Sequence, residues 1–303
     1  MYALLFVLVQ TEVLNFSYDR TFINIMINII YDVGLNLILG VAGQFSLGPA
    51  GFIAIGSYSG AILGKMMNGL LGLFAGMAVG VVISVIVAVL VGLPTLRLKG
   101  DYLAIATLGV AEIIRVAVTN MKITNGAAGI SGVPLTNTWT ITYIALVVTT
   151  ILILNYTFSS AGRATYAVLQ DEIAAESMGV QVTKYKILAF VLGAATASIG
   201  GTLSATTLGA VTPSDFTFMK SIDVLIIVVF GGIGSFTGSF VAAVLLGIIN
   251  LVLQPFGQLR MIIYAVALIL IMIFRPGGLL GTWEFKLGDF KFSKKKETKE
   301  SGK

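Results

Sequence analysis

Between Val33 and Gly64, and again between Met66 and Leu96, the chain carries no charged residue. Each run is roughly one and a half times the ~20 apolar residues that cross the hydrocarbon core of a bilayer. Soluble domains have about a quarter of their residues charged; here 11% are charged and 57% are hydrophobic over 303 residues. An uncharged stretch of that length cannot be the core of one small soluble domain. The pattern predicts an all-α, polytopic helical membrane protein.

Composition removes several kinds of chemistry. With no cysteine and no histidine, zinc, thiolate and haem sites lose their usual ligands, disulfides are impossible, and a histidine proton relay is excluded. No GxxxxGK[ST] run occurs, so a phosphate-cradling loop for ATP must reside in another chain. Residues 1–16 are apolar but lack the basic start and small-residue cleavage site of a signal peptide, and they read as a short first span.

Apolar runs between charges and turn residues give ten spans, near 1–16, 21–41, 50–67, 70–94, 101–120, 138–159, 185–211, 219–231, 234–254 and 258–274. An even number places both termini on one side, with the loops at 95–100 and 160–184. That side holds thirteen of the 19 arginines and lysines, the other side holds five, and Arg115 lies within a span. The excess of positive charge marks the thirteen-residue side, and so both termini, as cytoplasmic. Residues 1–283 form the transmembrane domain, and 284–303 form a basic, disordered tail. The tail's basicity is a topology and membrane-surface signal and does not argue for nucleic acid.

The longest internal charged segment, residues 160–186, contains Asp171-Glu172-Ile173-Ala174-Ala175-Glu176-Ser177-Met178-Gly179. At helical spacing, Ala175, Met178, Gly179 and Val182 form one small-surfaced stripe, with Glu172 and Glu176 on an adjacent face. Such a stripe can enter a groove on a partner. The bland alternative is an amphipathic surface helix linking two spans.

Two glycine-rich stretches interrupt apolar runs, at Gly40, Gly43, Gly48 and Gly51 and at Gly231, Gly232, Gly234 and Gly238. Glycine costs about 1 kcal/mol relative to alanine inside a helix, so these are candidate broken helices lining a translocation pathway. Close helix–helix packing through small residues is the other reading. Gln44 and Ser46 lean the first stretch towards the pathway, because polar side chains there need partners.

Glu112 and Arg115 stand three apart within a span, a spacing that lets them pair. A structural ion pair near the outer end of the span is one reading, and recognition of an amino-acid zwitterion is the sharper one. Asp32 and Asp223 lie near span ends and read as facing headgroups or a partner subunit. The segment TNGAAGISGVP, residues 124–134, reads as turns in an outer loop.

DEIAAESMGV, residues 171–180, is similar to the EAA-type cytoplasmic loop of bacterial ABC importer permeases, with Ala174, Ala175 and Gly179 at the motif's small positions. VGLNLILGVAGQFSLGPAGFIAIGSY (33–58), LRLKGDYLAIATLGVAEIIR (96–115), TNGAAGISGVP (124–134), GRATYAVLQDEIAAESMGV (162–180), SIDVLIIVVFGGIGSFTG (221–238) and FRPGGLLG (274–281) resemble, in order, segments of branched-chain amino acid importer permeases. Two positions depart from that pattern: Pro49, where a polar residue is usual, and Asp32, where an apolar or small one is usual. The resemblance implies a permease subunit in a bacterial cell membrane that catalyses no bond-making. It further implies a second homologous permease, two ATPase subunits that bind ATP and magnesium, and an extracytoplasmic binding protein that does most of the selection. Glu172, Ala174, Ala175, Met178 and Gly179 would then lie on the helix that docks onto the ATPase. Gly43, Gln44, Ser46, Gly48, Gly231, Gly232 and Gly234 would line the pathway. The cargo alternatives are urea or short amides, sugars or nucleosides, and a rival of another class is an ion-coupled secondary transporter.

Overall fold

The computed structural model describes residues 16–253, save 68, 97 and 99, together with 266, 269, 278, 279 and 281; side chains are described from residue 20 onward. Ten α-helices follow in chain order: α1 Phe16–Asn36, α2 Pro49–Met66, α3 Leu70–Thr95, α4 Asp101–Asn120, α5 Trp139–Phe158, α6 Ser160–Gln170, α7 Glu172–Ser177, α8 Val182–Leu208, α9 Phe218–Gly231 and α10 Phe236–Val252. Among the described residues, five are long and apolar enough to cross a membrane, and the pair α9–α10, bent by 118° at its break, raises that to six if counted as one span. Eight of the ten apolar segments read from the sequence coincide with helices here. The first and last, 1–16 and 258–274, lie almost wholly outside the described residues. At 14 residues α9 reaches only about 21 Å at 1.5 Å per residue, less than the ~30 Å hydrocarbon core.

Helices α1, α2 and α8 form the centre, and α3, α4 and α5 lie outside them. The central helices approach closely because small residues meet. A Cβ on Gly56 of α2 would overlap the Ser198 carbonyl of α8, and one on Gly201 would overlap the Ile53 carbonyl. Buried hydroxyls then bridge the helices: Ser57 Oγ donates to the Gly201 carbonyl and Thr202 Oγ1 to that of Gly56, each at 2.9 Å. Between apolar helices, where lipid is as apolar as leucine, such packing and hydrogen bonding hold the bundle together. Phe52 and Phe190 meet edge to face at 5.6 Å in the same core.

One end of the bundle carries a two-residue antiparallel pairing, β1 Ile130–Ser131 with β2 Ala210–Val211. Lys65 Nζ donates to the Ser131 carbonyl at 2.8 Å, and the Val133 amide to that of Gly209 at 2.9 Å. The loops 121–137 and 209–217 and the end of α2 therefore share one face. The segment 124–134 combines a turn, a 3-10 helix at Gly126–Ala128 and β1, with left-handed backbone at Asn125, Gly126, Gly129 and Gly132. At the other end, after α5, come α6 and α7.

Candidate functional site

The two glycine-rich stretches, far apart in sequence, meet at one junction. Helix α1 loosens into a π-turn, Leu37–Val41, and residues 43–48 then run without regular structure to α2. Asn36, fully buried, sits at the last turn of α1. Its Nδ2 donates to the Ser235 carbonyl and to Ser239 Oγ, both at 2.9 Å, and its Oδ1 accepts the Gly234 amide at 2.8 Å. The side chain of α1 thus satisfies the Gly234 amide at the break between α9 and α10 and adds a donor to the Ser235 carbonyl, which also accepts the Ser239 amide.

Backbone packing accounts for most of the glycines here. A Cβ on Gly40 would strike the Gly234 backbone, one on Gly231 would lie 2.6 Å from Gly238, and one on Gly232 would overlap the Gly281 carbonyl. Gly48 abuts Thr107, and its amide donates to Ser46 Oγ at 3.3 Å. Gly43 has φ +66° and lies against Leu169 of α6. Gln44 is buried with neither amide atom hydrogen-bonded. Pro49, which departs from the family pattern, occupies the first turn of α2, where its missing amide hydrogen costs nothing.

Helix α4 is tied to this junction. Thr107 Oγ1 accepts the Leu47 amide and donates to the Ala104 carbonyl, each at 3.0 Å. Higher on α4, Arg115 Nε donates to both carboxylate oxygens of Glu112 at 2.9 Å, so the two residues do form an ion pair. Both side chains remain partly exposed, 28% for Arg115 and 44% for Glu112.

Asp32 corrects the expectation of a headgroup-facing carboxylate. It is wholly buried in α1, and neither carboxylate oxygen has a hydrogen-bond partner. The positive charge that acts on it is Lys220, whose ammonium lies 5.5 Å above the Tyr31 ring. Asp223 is exposed.

The charged island folds as two capped helices. Ser159 Oγ accepts the Gly162 amide at the start of α6, and Asp171 Oδ1 accepts the Ile173 and Ala174 amides at 2.9 and 3.0 Å, capping α7. Helix α7 closes at Ser177 with Gly179 left-handed at φ +84°, the Val180 amide returning to the Ala175 carbonyl and the Gly179 amide to that of Glu176. This is a Schellman closure, and it breaks the expected stripe. Ala175 turns inward and is buried, Ala174 faces out, and Gly179 belongs to the stop and not to a helical face. The projecting apolar groups are Ile173 and Met178, 75% and 85% exposed. Glu172 pairs with Lys186 of α8 at 3.0 Å. Sequence reasoning missed Ile173, Asn36 and Thr107. An asparagine inside an otherwise apolar run was the available signal for Asn36, and the Asp-x-x-Ala start was the signal for the cap of α7.

The chain is 37% identical over 225 residues to the high-affinity branched-chain amino acid transport system permease protein LivM of Salmonella typhimurium, covering 63% of this chain and 53% of that protein. It is 36% identical to LivM of Escherichia coli K12 over the same shares. To LivH of Escherichia coli K12 it is 30% identical over 145 residues, 47% of this chain and 46% of that one. The chain thus spans about half the length of these curated relatives. No solved structure matches. The family model described as the permease component of branched-chain amino acid transport systems matches residues 17–274, and the chain belongs to that family.

Proposed function

We propose that this chain is a transmembrane permease subunit of an ATP-binding-cassette importer that moves leucine, isoleucine and valine into a bacterial cell. The cargo reading is supported by the relatives, which are branched-chain amino acid transport permease proteins. The coupling reading is carried by one observation: a short helix, capped at both ends, that presents Ile173 and Met178 to its surroundings at one end of the bundle. A rigid, capped element with two large exposed apolar groups suits a groove on a separate ATPase. ATP-driven closure of two such ATPases would push α7 and, through α6 and Leu169, the segment that starts at Gly43. In this reading the glycine-packed junction is the hinge of the pathway and Gln44 and Ser46 lie on its moving strand.

The remaining parts of the assembly are a second homologous permease and an extracytoplasmic binding protein. Ten spans with both termini in the cytoplasm fit the distribution of basic residues. The test is purification of the complex from its native membrane with identification of the bound chains, together with uptake of radiolabelled leucine. Absence of an ATPase subunit, or uptake that persists without ATP, would overturn the reading.

One observation favours a second reading. Asp32 is a buried carboxylate with no hydrogen-bond partner, a group that an ion-coupled secondary transporter would use for its coupling ion. Uptake that collapses with the ion gradient while ATP is held constant would select it.

A further inference from the structure

Helix α4 has three faces. Thr107, Ala111 and Val118 pack inward. Tyr102, Ile113 and Val116 are exposed and apolar, as a lipid-facing surface should be. Between them runs a seam at alternating four- and three-residue steps: Asp101, Ile105, Leu108, Glu112, Arg115 and Thr119, all partly or fully exposed. Neighbouring α3 provides the contrast, since every exposed residue on it is apolar.

The ion pair lies deep in this seam. Glu112 is eight residues from the end of α4 and eleven from its start, about 12 and 17 Å along the axis. Arg115 does not reach along the helix to the membrane surface. Its guanidinium folds back onto Glu112, towards the middle of the span. A charge exposed to lipid at that depth is unfavourable, and intramembrane charges face protein or water. The seam must therefore face protein or water. A continuous seam with a 3.5-residue step is the pattern along which one helix lies beside another, and its charged centre is unsuited to a dry interface.

We infer that the α4 seam is one wall of an aqueous passage whose opposite wall is a second transmembrane permease subunit, and that Glu112 and Arg115 together meet the passing zwitterion. The inference rests on the importer reading for the second subunit and for the amino-acid cargo. A zwitterionic amino acid carries one ammonium and one carboxylate, and the pair offers one group of each opposite sign, half-exposed at a single place. Contact here is transient, because each group is already held by the other. The Thr107 link to Leu47 joins the same helix to the junction at Gly43–Gly48, so movement of the junction shifts the seam.

The chain has no cysteine, so single cysteines report directly. In membranes containing the complete transporter, Leu108→Cys and Thr119→Cys should react with a water-soluble, membrane-impermeant thiol reagent at least tenfold faster than Val82→Cys and Ile86→Cys on α3. The paired exchange Glu112→Arg with Arg115→Glu keeps an ion pair but reverses its polarity along the passage. Leucine uptake should fall at least tenfold in that variant, with membrane abundance and ATPase retention unchanged. Seam cysteines as inert as those on α3, or wild-type uptake in the exchanged variant, would overturn the inference. Reactive seam cysteines in a complex that imports some other solute would support the passage and refute the amino-acid cargo.

Discussion

The Asn36 side-chain amide accepts from the Gly234 N–H at 2.8 Å and donates to the Ser235 carbonyl at 2.9 Å, so one side chain of α1 holds two separate peptide groups at the break between α9 and α10. No peptide group at that break can be left bare inside a membrane protein without several kcal/mol of cost. Asn36 is therefore the structural counterpart of the break itself. Asn36→Leu should leave the Gly234 amide without its partner, while the Ser235 carbonyl keeps the Ser239 amide at 3.1 Å. We expect a loss of about 1–3 kcal/mol per unsatisfied group, read as a lower thermal midpoint of the purified complex in detergent. Asn36→Gln, which keeps the chemistry but moves it by one methylene, should fall between.

Gly40 and Gly64 should respond to alanine in opposite directions. At Gly40 the new methyl would meet the Gly234 backbone, which cannot give way as a flexible side chain could. Overpacking of this kind costs about 1–3 kcal/mol, so Gly40→Ala should lower the thermal midpoint and the yield. At Gly64 the nearest atoms lie 3.9 Å away, on Val133. There the gain in helix propensity, up to about 1 kcal/mol, should leave Gly64→Ala as stable as the parent or more so.

Met178→Asp isolates docking from folding. Met178 is 85% exposed and makes no part of the core, so the substitution should leave membrane insertion and thermal stability near those of the parent. It should abolish ATPase retention in a pull-down and ATP-dependent leucine uptake. Gly179→Ala is the less clean experiment, because φ +84° strains any side chain. Glu172→Ala should have a small effect, since a partly exposed ion pair contributes about 0–1 kcal/mol. Full ATPase retention by the Met178→Asp variant would remove α7 from the docking surface.

Arg163→Cys should be shielded from an impermeant thiol reagent in intact cells, and Lys122→Cys should be labelled. The first residue lies on α6 and the second in the loop 121–137, at opposite ends of the bundle. Labelling of position 163 with protection of 122 would invert the orientation.

The run of apolar residues by itself determined that this chain is helical and membrane-embedded, because only the length of uncharged sequence is needed for that inference. It also carried the positions of most helices, the turns at 124–134 and the pairing of Glu112 with Arg115, all of which depend on residues close in sequence. What the glycines do was decided only by tertiary structure. Whether Gly40 faces a pathway or a neighbour depends on where Gly234 lies, almost two hundred residues away, and no local pattern encodes that distance. The same holds for Asp32. Read as lying near a span end, it suggests headgroups or a partner subunit, yet the packing of the helices around α1 buries it completely. On α7 the composition pointed to a small-residue stripe, but the left-handed stop at Gly179 ended the helix before such a stripe could form. The large apolar groups that this segment presents outward are Ile173 and Met178, whose exposure is a property of the folded bundle and of nothing shorter.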